Sequence, residues 1–117
     1  MAATTPNNPP GVTRIDWADF LMRHHDPTEL WHEVEKLVSE QTAPRLLITF
    51  SDIQQLGSQS LGQLVRVHKR LAEAGGELRL AELSSNLQYI LRVTHLNKML
   101  KLHRTAAEAI SSFGSPA

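Results

Sequence analysis

The chain has 117 residues, no cysteine, and twelve basic residues against twelve acidic ones, so its formal net charge is zero. That length suits one domain that buries roughly two thirds of its unfolded surface and folds without disulfides or a structural metal. The missing cysteine excludes thiolate catalysis, iron–sulfur clusters and cysteine-ligated zinc and fits a reducing, cytoplasmic setting, while the balanced charge gives no global field to draw in nucleic acid or an anionic membrane.

The first eleven residues, "MAATTPNNPPG", carry three prolines and lack both the basic start and the apolar middle of a secretory signal, so residues 1–11 read as a disordered leader. "VTRIDW" follows, alternating through Thr13, Ile15 and Trp17 in the manner of a half-buried strand near a sheet edge. "ADFLMRHH" is ambiguous, and a second short strand around Phe20 to Met22 is one reading of it. In "DPTELWHEVEKLVSEQ" Asp26 is placed to cap a helix, with Pro27 at its first position and Glu29 three residues beyond the cap. Leu30, Val34, Leu37 and Val38 supply the apolar stripe.

"PRLLITFSDI" brings Leu46, Leu47, Ile48 and Phe50 almost without interruption, the pattern of a central parallel strand covered on both faces. From about Ser58 a helical stripe of Leu61, Leu64, Val65, His68, Leu71 and Ala72 runs to Ala74-Gly75-Gly76, where glycine can take the left-handed cap. "ELRLAEL" is the next strand, through Leu78 and Leu80. Ser85 with Gln88 then resembles a capping box for a helix carrying Leu87, Ile90, Leu91 and Thr94. "KMLKLH" alternates through Leu100 and Leu102 as the last strand. Thr105 with Glu108 caps a final helix striped by Ala106, Ala109, Ile110 and Phe113, with Gly114 and Pro116 as its stop. Strands alternating with helices predict an α/β domain over residues 12–113, with a short tail at 114–117. Its sheet should have four to five strands, mostly parallel or mixed, with about four helices packed on it. No apolar run approaches the roughly 20 residues of a membrane span, so membrane insertion is not expected.

Several chemistries can be weighed on these residues. "SQSLG" follows a strand and precedes a helix, as a hydrolase nucleophile elbow does, but the first glycine of G-x-S-x-G is missing. His68 stands eight residues after Ser60, roughly 12 Å along a helix at 1.5 Å per residue, beyond the reach of a general base. His24, His25 and His32 share no helical face and match no metal-ligand spacing, and Gly57 and Gly62 form no phosphate loop. Neither a catalytic centre, a metal nor a cofactor is therefore expected. "RVHKR" places Arg66, Lys69 and Arg70 on the outward side of the helix after the central strand, a solvated face first and a docking surface for an acidic partner second. Ser60 with Gln63 completes an S-x-x-Q box, which makes Ser60 the expected cap and leaves Ser58 outside it, more exposed. A phosphoryl group there would be stabilised by free amides and the helix dipole.

"RLLITFSDIQQLGSQSLGQLVRVHKRLAEAGGELRLAEL" and "ILRVTHLNKMLKLHRTAAEAI" together resemble the STAS domain, the sulfate-transporter and anti-sigma-factor-antagonist family, from about Val12 to Phe113. The family's signature is D-S-S/A-G, whose first serine is phosphorylated by a partner kinase that doubles as an anti-sigma factor. By position Ser58 matches that serine; Gly57 stands for the aspartate, Gln59 for the next residue and Ser60 for the glycine. Thr49 stands where relatives commonly have an acid or amide at the end of the central strand. The resemblance implies a cytoplasmic, non-enzymatic regulator that occupies an anti-sigma factor or serine kinase and releases it when Ser58 is phosphorylated. Gln54, Gln55, Gly57, Ser58, Gln59, Ser60, Gln63 and Arg66 are the implied contact surface. The alternatives are a constitutive adaptor or scaffold, for instance beside a transporter, and a sensor of nucleotides or apolar small molecules.

Overall fold

The computed structural model describes residues 11–113. The expected leader, apart from Gly11, and the tail with Gly114 and Pro116 lie outside the described residues. Four strands, β1 (Val12–Asp16), β2 (Arg45–Thr49), β3 (Glu77–Ala81) and β4 (Lys101–His103), form one parallel sheet in the order β1-β2-β3-β4. Helices α1 (Trp17–His24), α2 (Glu29–Glu40), α3 (Ser58–Glu73), α4 (Ser85–Val93) and α5 (Ala106–Phe113) surround it, with a 3₁₀ turn at Leu96–Lys98. Each strand neighbours the next in sequence, as short crossovers in a parallel sheet favour.

Alternation along the strands divides the core in two. Leu46, Ile48, Leu78 and Leu80 face a large cluster with Trp17, Phe20, Leu30, Val34, Leu64, Val67, Leu71, Leu87 and Leu91 from α1 to α4. Leu47 and Ala81 face the other way, onto Ala106, Ala109 and Phe113 of α5 and onto Val12. β2 is therefore covered on both faces, which is why Leu46, Leu47 and Ile48 follow one another without the polar alternation of a half-exposed strand.

The stretch read as a second short strand is helix α1. Asp16 closes β1 and accepts from the Asp19 N–H at 3.2 Å, capping the helix. Trp17 and Phe20, three residues apart, then stack at 5.6 Å against the core, and Arg23 pairs with Asp19 one turn back at 3.0 Å. Trp17 thus belongs to a helical stripe, not to the strand face of Thr13 and Ile15.

α2 starts later than its capping box predicts. The Asp26 carboxylate accepts from Thr28 N–H at 3.0 Å across a preceding turn, an arrangement that holds its pKa below the ordinary value, and Glu29 pairs with His32 at 3.1 Å rather than reaching back. α3 buries a face rotated from the one read off the sequence: Leu64 and Leu71 are buried and Leu61 packs on the core as expected, but Ser60, Gln63 and Val67 also point inward, while Val65 and His68 are half-buried and Ala72 is exposed. Its end follows expectation. Gly75 takes φ +77°, with the Gly75 and Gly76 amides bonded to Ala72 and Leu71 carbonyls at 3.0 and 2.7 Å. Gly76 is required for a second reason, since a Cβ there would sit 2.1 Å from the Pro44 carbonyl oxygen at the lead-in to β2.

The cap of α4 is Ser84, not Ser85: the Ser84 hydroxyl accepts from Leu87 N–H at 3.1 Å, while Gln88 donates to the Leu83 carbonyl at 3.0 Å. Thr105 caps α5 as expected, accepting from Glu108 N–H at 3.1 Å, and the Glu108 carboxylate accepts from Arg104 N–H at 3.3 Å.

Candidate functional site

Parallel strands expose their carboxyl ends at one edge of the sheet, where ligands and partners of α/β proteins usually bind. Here that edge is the rung Asp16, Thr49, Ala81 and His103, four residues in register. Thr49 is fully buried and its hydroxyl donates to Asp16 Oδ2 at 3.4 Å, so a carboxylate does stand at this end of the sheet, on the neighbouring strand. Nothing in the sequence marks that pairing, because it spans 33 positions.

The turn from β2 into α3 leaves this rung. Phe50 N–H continues the ladder to the Ala81 carbonyl at 3.1 Å, Ile53 N–H closes a turn on Phe50 O at 3.1 Å, and Asp52 adopts φ +66°. The Ser51 hydroxyl donates to Glu82, whose carboxylate also accepts from Ala106 N–H at 3.3 Å, tying the turn to the start of α5. Leu56, 8% exposed, anchors the segment in the core, and Asn86 at the start of α4 donates to the Gln54 carbonyl at 2.7 Å. The loop around Ser58 is therefore pinned from three sides.

α3 begins at Ser58 with Gly57 as its cap residue, φ −75° and ψ 170°, and no side chain among the described residues caps its first-turn amides. The expectation that Ser60 caps the helix is overturned. Ser60 is the third helical residue, 8% exposed, and Gln63 is equally buried with its Oε1 lacking a hydrogen-bond partner among the described residues. The reason is register: the backbone turns into helix as soon as Leu56 is anchored, with its cap at Gly57, three residues earlier than the S-x-x-Q box implies. Ser60 is also not the tip of a nucleophile elbow. Ser58 lies inside the helix, at its first position rather than outside it, and is exposed.

The other expected contact residues divide by burial. Gln54, Gln55, Gly57, Ser58, Gln59 and Arg66 are exposed, whereas Ser60 and Gln63 face inward. Seven residues separate Gln59 and Arg66, two helical turns, so they share one outward stripe with Gly62 between them. A Cβ at Gly62 would meet no atom within 4 Å, leaving bare backbone on that stripe. Arg66 lies 3.9 Å over the Trp31 ring of α2, and Arg70 pairs with Glu35 at 2.8 Å. Its guanidinium holds the Glu35 carboxyl below the ordinary range. Of the basic trio, Lys69 makes no such contact among the described residues. Gly62, Trp31 and Asn86 all help shape this surface and were missed in the sequence; a glycine inside a helical pattern and a tryptophan off the apolar stripe were the available signals.

A profile of the STAS domain matches residues 24–109, and the chain belongs to that family. A Thermotoga neapolitana relative, named by inference as a homologue of an anti-sigma factor antagonist, is 29% identical over 66 residues, covering 56% of this chain and 58% of the relative. A Thermotoga maritima relative with the corresponding name is 27% identical over the same span. The chain thus spans less than two thirds of the length of both. Among solved structures, an anti-sigma-factor antagonist (STAS) domain protein from Planctomyces limnophilus superposes with a TM-score of 0.72 at 24% identity, covering 93% of this chain and 96% of that one. An NMR structure of the protein TM1081 gives 0.75 at 19% identity over 95% of this chain and 89% of that one. At such identities the likeness is one of fold. No helix among the described residues is long and apolar enough to cross a membrane.

Proposed function

We propose that this chain is a non-enzymatic regulatory module of the anti-sigma factor antagonist type, which binds an anti-sigma factor or serine kinase in the cytoplasm and is switched by phosphorylation of Ser58. One observation carries the reading: an exposed hydroxyl on the first residue of a 16-residue helix whose first-turn amides have no side-chain cap, at the position of the family's signature serine. A phosphoryl group on that oxygen gains the free amides and the positive end of the helix dipole, and the first turn of α3 contains no acidic residue to repel it.

The partner contacts the exposed residues Gln54, Gln55, Gly57, Ser58, Gln59 and Arg66. Phosphorylation adds about −1.5 to −2 charges to this neutral protein. A partner covering the surface would then have to desolvate a dianion, and the complex dissociates. The backbone need not move, because the switch is a change of charge on a rigidly held turn.

The test uses Ser58→Ala and Ser58→Asp proteins as baits in native lysate, with phosphosite mapping of the wild type. The switch requires a partner retained by Ser58→Ala and lost by Ser58→Asp, and phosphate at Ser58 in vivo. Gly57, in place of the signature aspartate, favours a second reading, a constitutive adaptor in which no kinase addresses the turn. A partner indifferent to both substitutions would establish it.

A further inference from the structure

The balance of charge conceals a division along the chain. Residues 1–60 hold eight acidic against four basic residues, and residues 61–117 hold the reverse. The basic excess is concentrated in Arg92–Arg104, which contains Arg92, Lys98, Lys101, Arg104 and two histidines and no acidic residue. None of these four cations has a carboxylate within ion-pair distance among the described residues, whereas Arg23, Arg70 and Arg79 each do. The same segment and the helix leading into it hold three of the four exposed large apolar side chains among the described residues: Tyr89 at 54%, Val93 at 51% and Met99 at 37%. Tyr89, Arg92 and Val93 are neighbours on one face of α4, and the Arg92 guanidinium lies 5.5 Å from the Tyr89 ring.

The fourth exposed apolar residue, Met22 at 75%, is on α1. It stands just ahead of α2, which carries Glu29, Glu33 and Glu40 against Lys36, its Glu35 being paired with Arg70 of α3. α1 packs on β1 and the 3₁₀ turn packs on β4, the two outer strands of the sheet. The acidic apolar surface and the basic apolar surface thus occupy opposite edges of a molecule about 30 Å across, where they cannot meet within one chain.

We propose that the α4–β4 edge, centred on Tyr89, Arg92, Val93 and Lys98, docks onto the acidic α1–α2 surface of a second copy of this chain. Two different patches meet in such a contact, so it is head-to-tail and grows with concentration instead of closing on a symmetric dimer. A polyanion or an anionic membrane is a poorer occupant, because the acidic half of the same molecule would be carried into its field. The contact does not involve Ser58 and stands independently of the switch.

Sedimentation velocity on the whole chain, from about 20 µM to about 1 mM, tests it at two ionic strengths, near 0.01 M where the Debye length is about 30 Å and near 0.5 M where contacts are strongly screened. Association should appear at low salt and weaken about tenfold or more at high salt. Arg92→Glu with Lys98→Glu, and separately Glu33→Lys with Glu40→Lys, should each abolish it, and an equimolar mixture of the two charge-reversed proteins should restore it. Tyr89→Ser with Val93→Ser should weaken association without altering net charge. Far-UV circular dichroism confirms that each variant is folded. A wild type that stays monomeric at about 1 mM in low salt overturns the proposal, and binding to phosphatidylserine vesicles under those conditions would assign the basic edge to a lipid surface instead. Association that survives both charge reversals overturns it equally.

Discussion

Two strand-to-helix turns lie side by side at the carboxyl edge of the sheet, one from β2 into α3 and one from β3 into α4, and they close differently. At α4 the Ser84 hydroxyl accepts from Leu87 N–H at 3.1 Å. At α3 the corresponding position is Gly57, and the first-turn amides have no side-chain acceptor. Neighbouring turns in the same sheet therefore present a satisfied helix start and an unsatisfied one. A capping side chain takes up a donor that an open start leaves for a group that arrives later; both helices begin on an exposed serine, Ser58 and Ser85, but only at Ser58 do the first-turn amides lack a side-chain acceptor among the described residues.

The contrast depends first on the anchor beneath the α3 turn. Leu56→Ala removes a buried side chain and should cost about 2–3 kcal/mol, measured by urea denaturation, with faster amide exchange at Gly57 and Ser58. An equal rise in exchange at the α4 start would mean that the two turns are not held separately. Ser58→Asp should weaken partner binding by about 2 kcal/mol, roughly thirtyfold, by calorimetric titration, while Ser84→Asp, which preserves a capping side chain, should leave affinity within about twofold.

Smaller effects sharpen the same distinction in stability. Ser84→Ala should cost about 1 kcal/mol in thermal or urea unfolding, and Ser58→Ala only a few tenths, because the second hydroxyl caps nothing. Gly57→Asp should stabilise by about 0.5 kcal/mol, since φ −75° suits any residue, a Cβ there would meet no atom within 4 Å, and the carboxylate would supply the missing cap. If Gly57→Asp also raised phosphorylation of Ser58 by a cognate kinase, the open turn would be a weakened form of the signature rather than a departure from it.

The smallest effect is a pH dependence away from both turns. His68 and His103 are held below their ordinary value of 6.5, by burial first and then by Lys69 for His68 and by Arg79 for His103. An unfolded chain takes up these protons before the folded one does, so stability is full above the unfolded value and declines as pH falls through it toward the folded one. Melting temperature should therefore drop between about pH 7.5 and 5.5, and His68→Gln with His103→Gln should flatten that slope.

The layers of this protein were legible in short runs of residues: the apolar run Leu46–Phe50, broken only by Thr49, marks a doubly covered strand, the stripe Leu30–Val34 marks a helix, and Ala74-Gly75-Gly76 marks the end of α3. These patterns are legible because each depends on residues within a few positions of one another, where side-chain periodicity and glycine's backbone freedom act directly. What escaped were details of register and pairing. Trp17 reads as the end of the first strand and Phe20 to Met22 as a second short strand until Asp16 caps α1 and Trp17 and Phe20 find a common pocket. Ser60 satisfies a capping pattern that the chain ignores, because Leu56 anchored in the core makes the backbone turn at Gly57. The α3 face that is buried, the shelf that Trp31 offers Arg66, the Asp16–Thr49 contact and the clasp of Asn86 on Gln54 join positions 32 to 35 residues apart or depend on them. A free-energy choice made between distant surfaces leaves no trace in the spacing of either one, so only the assembled structure could decide it.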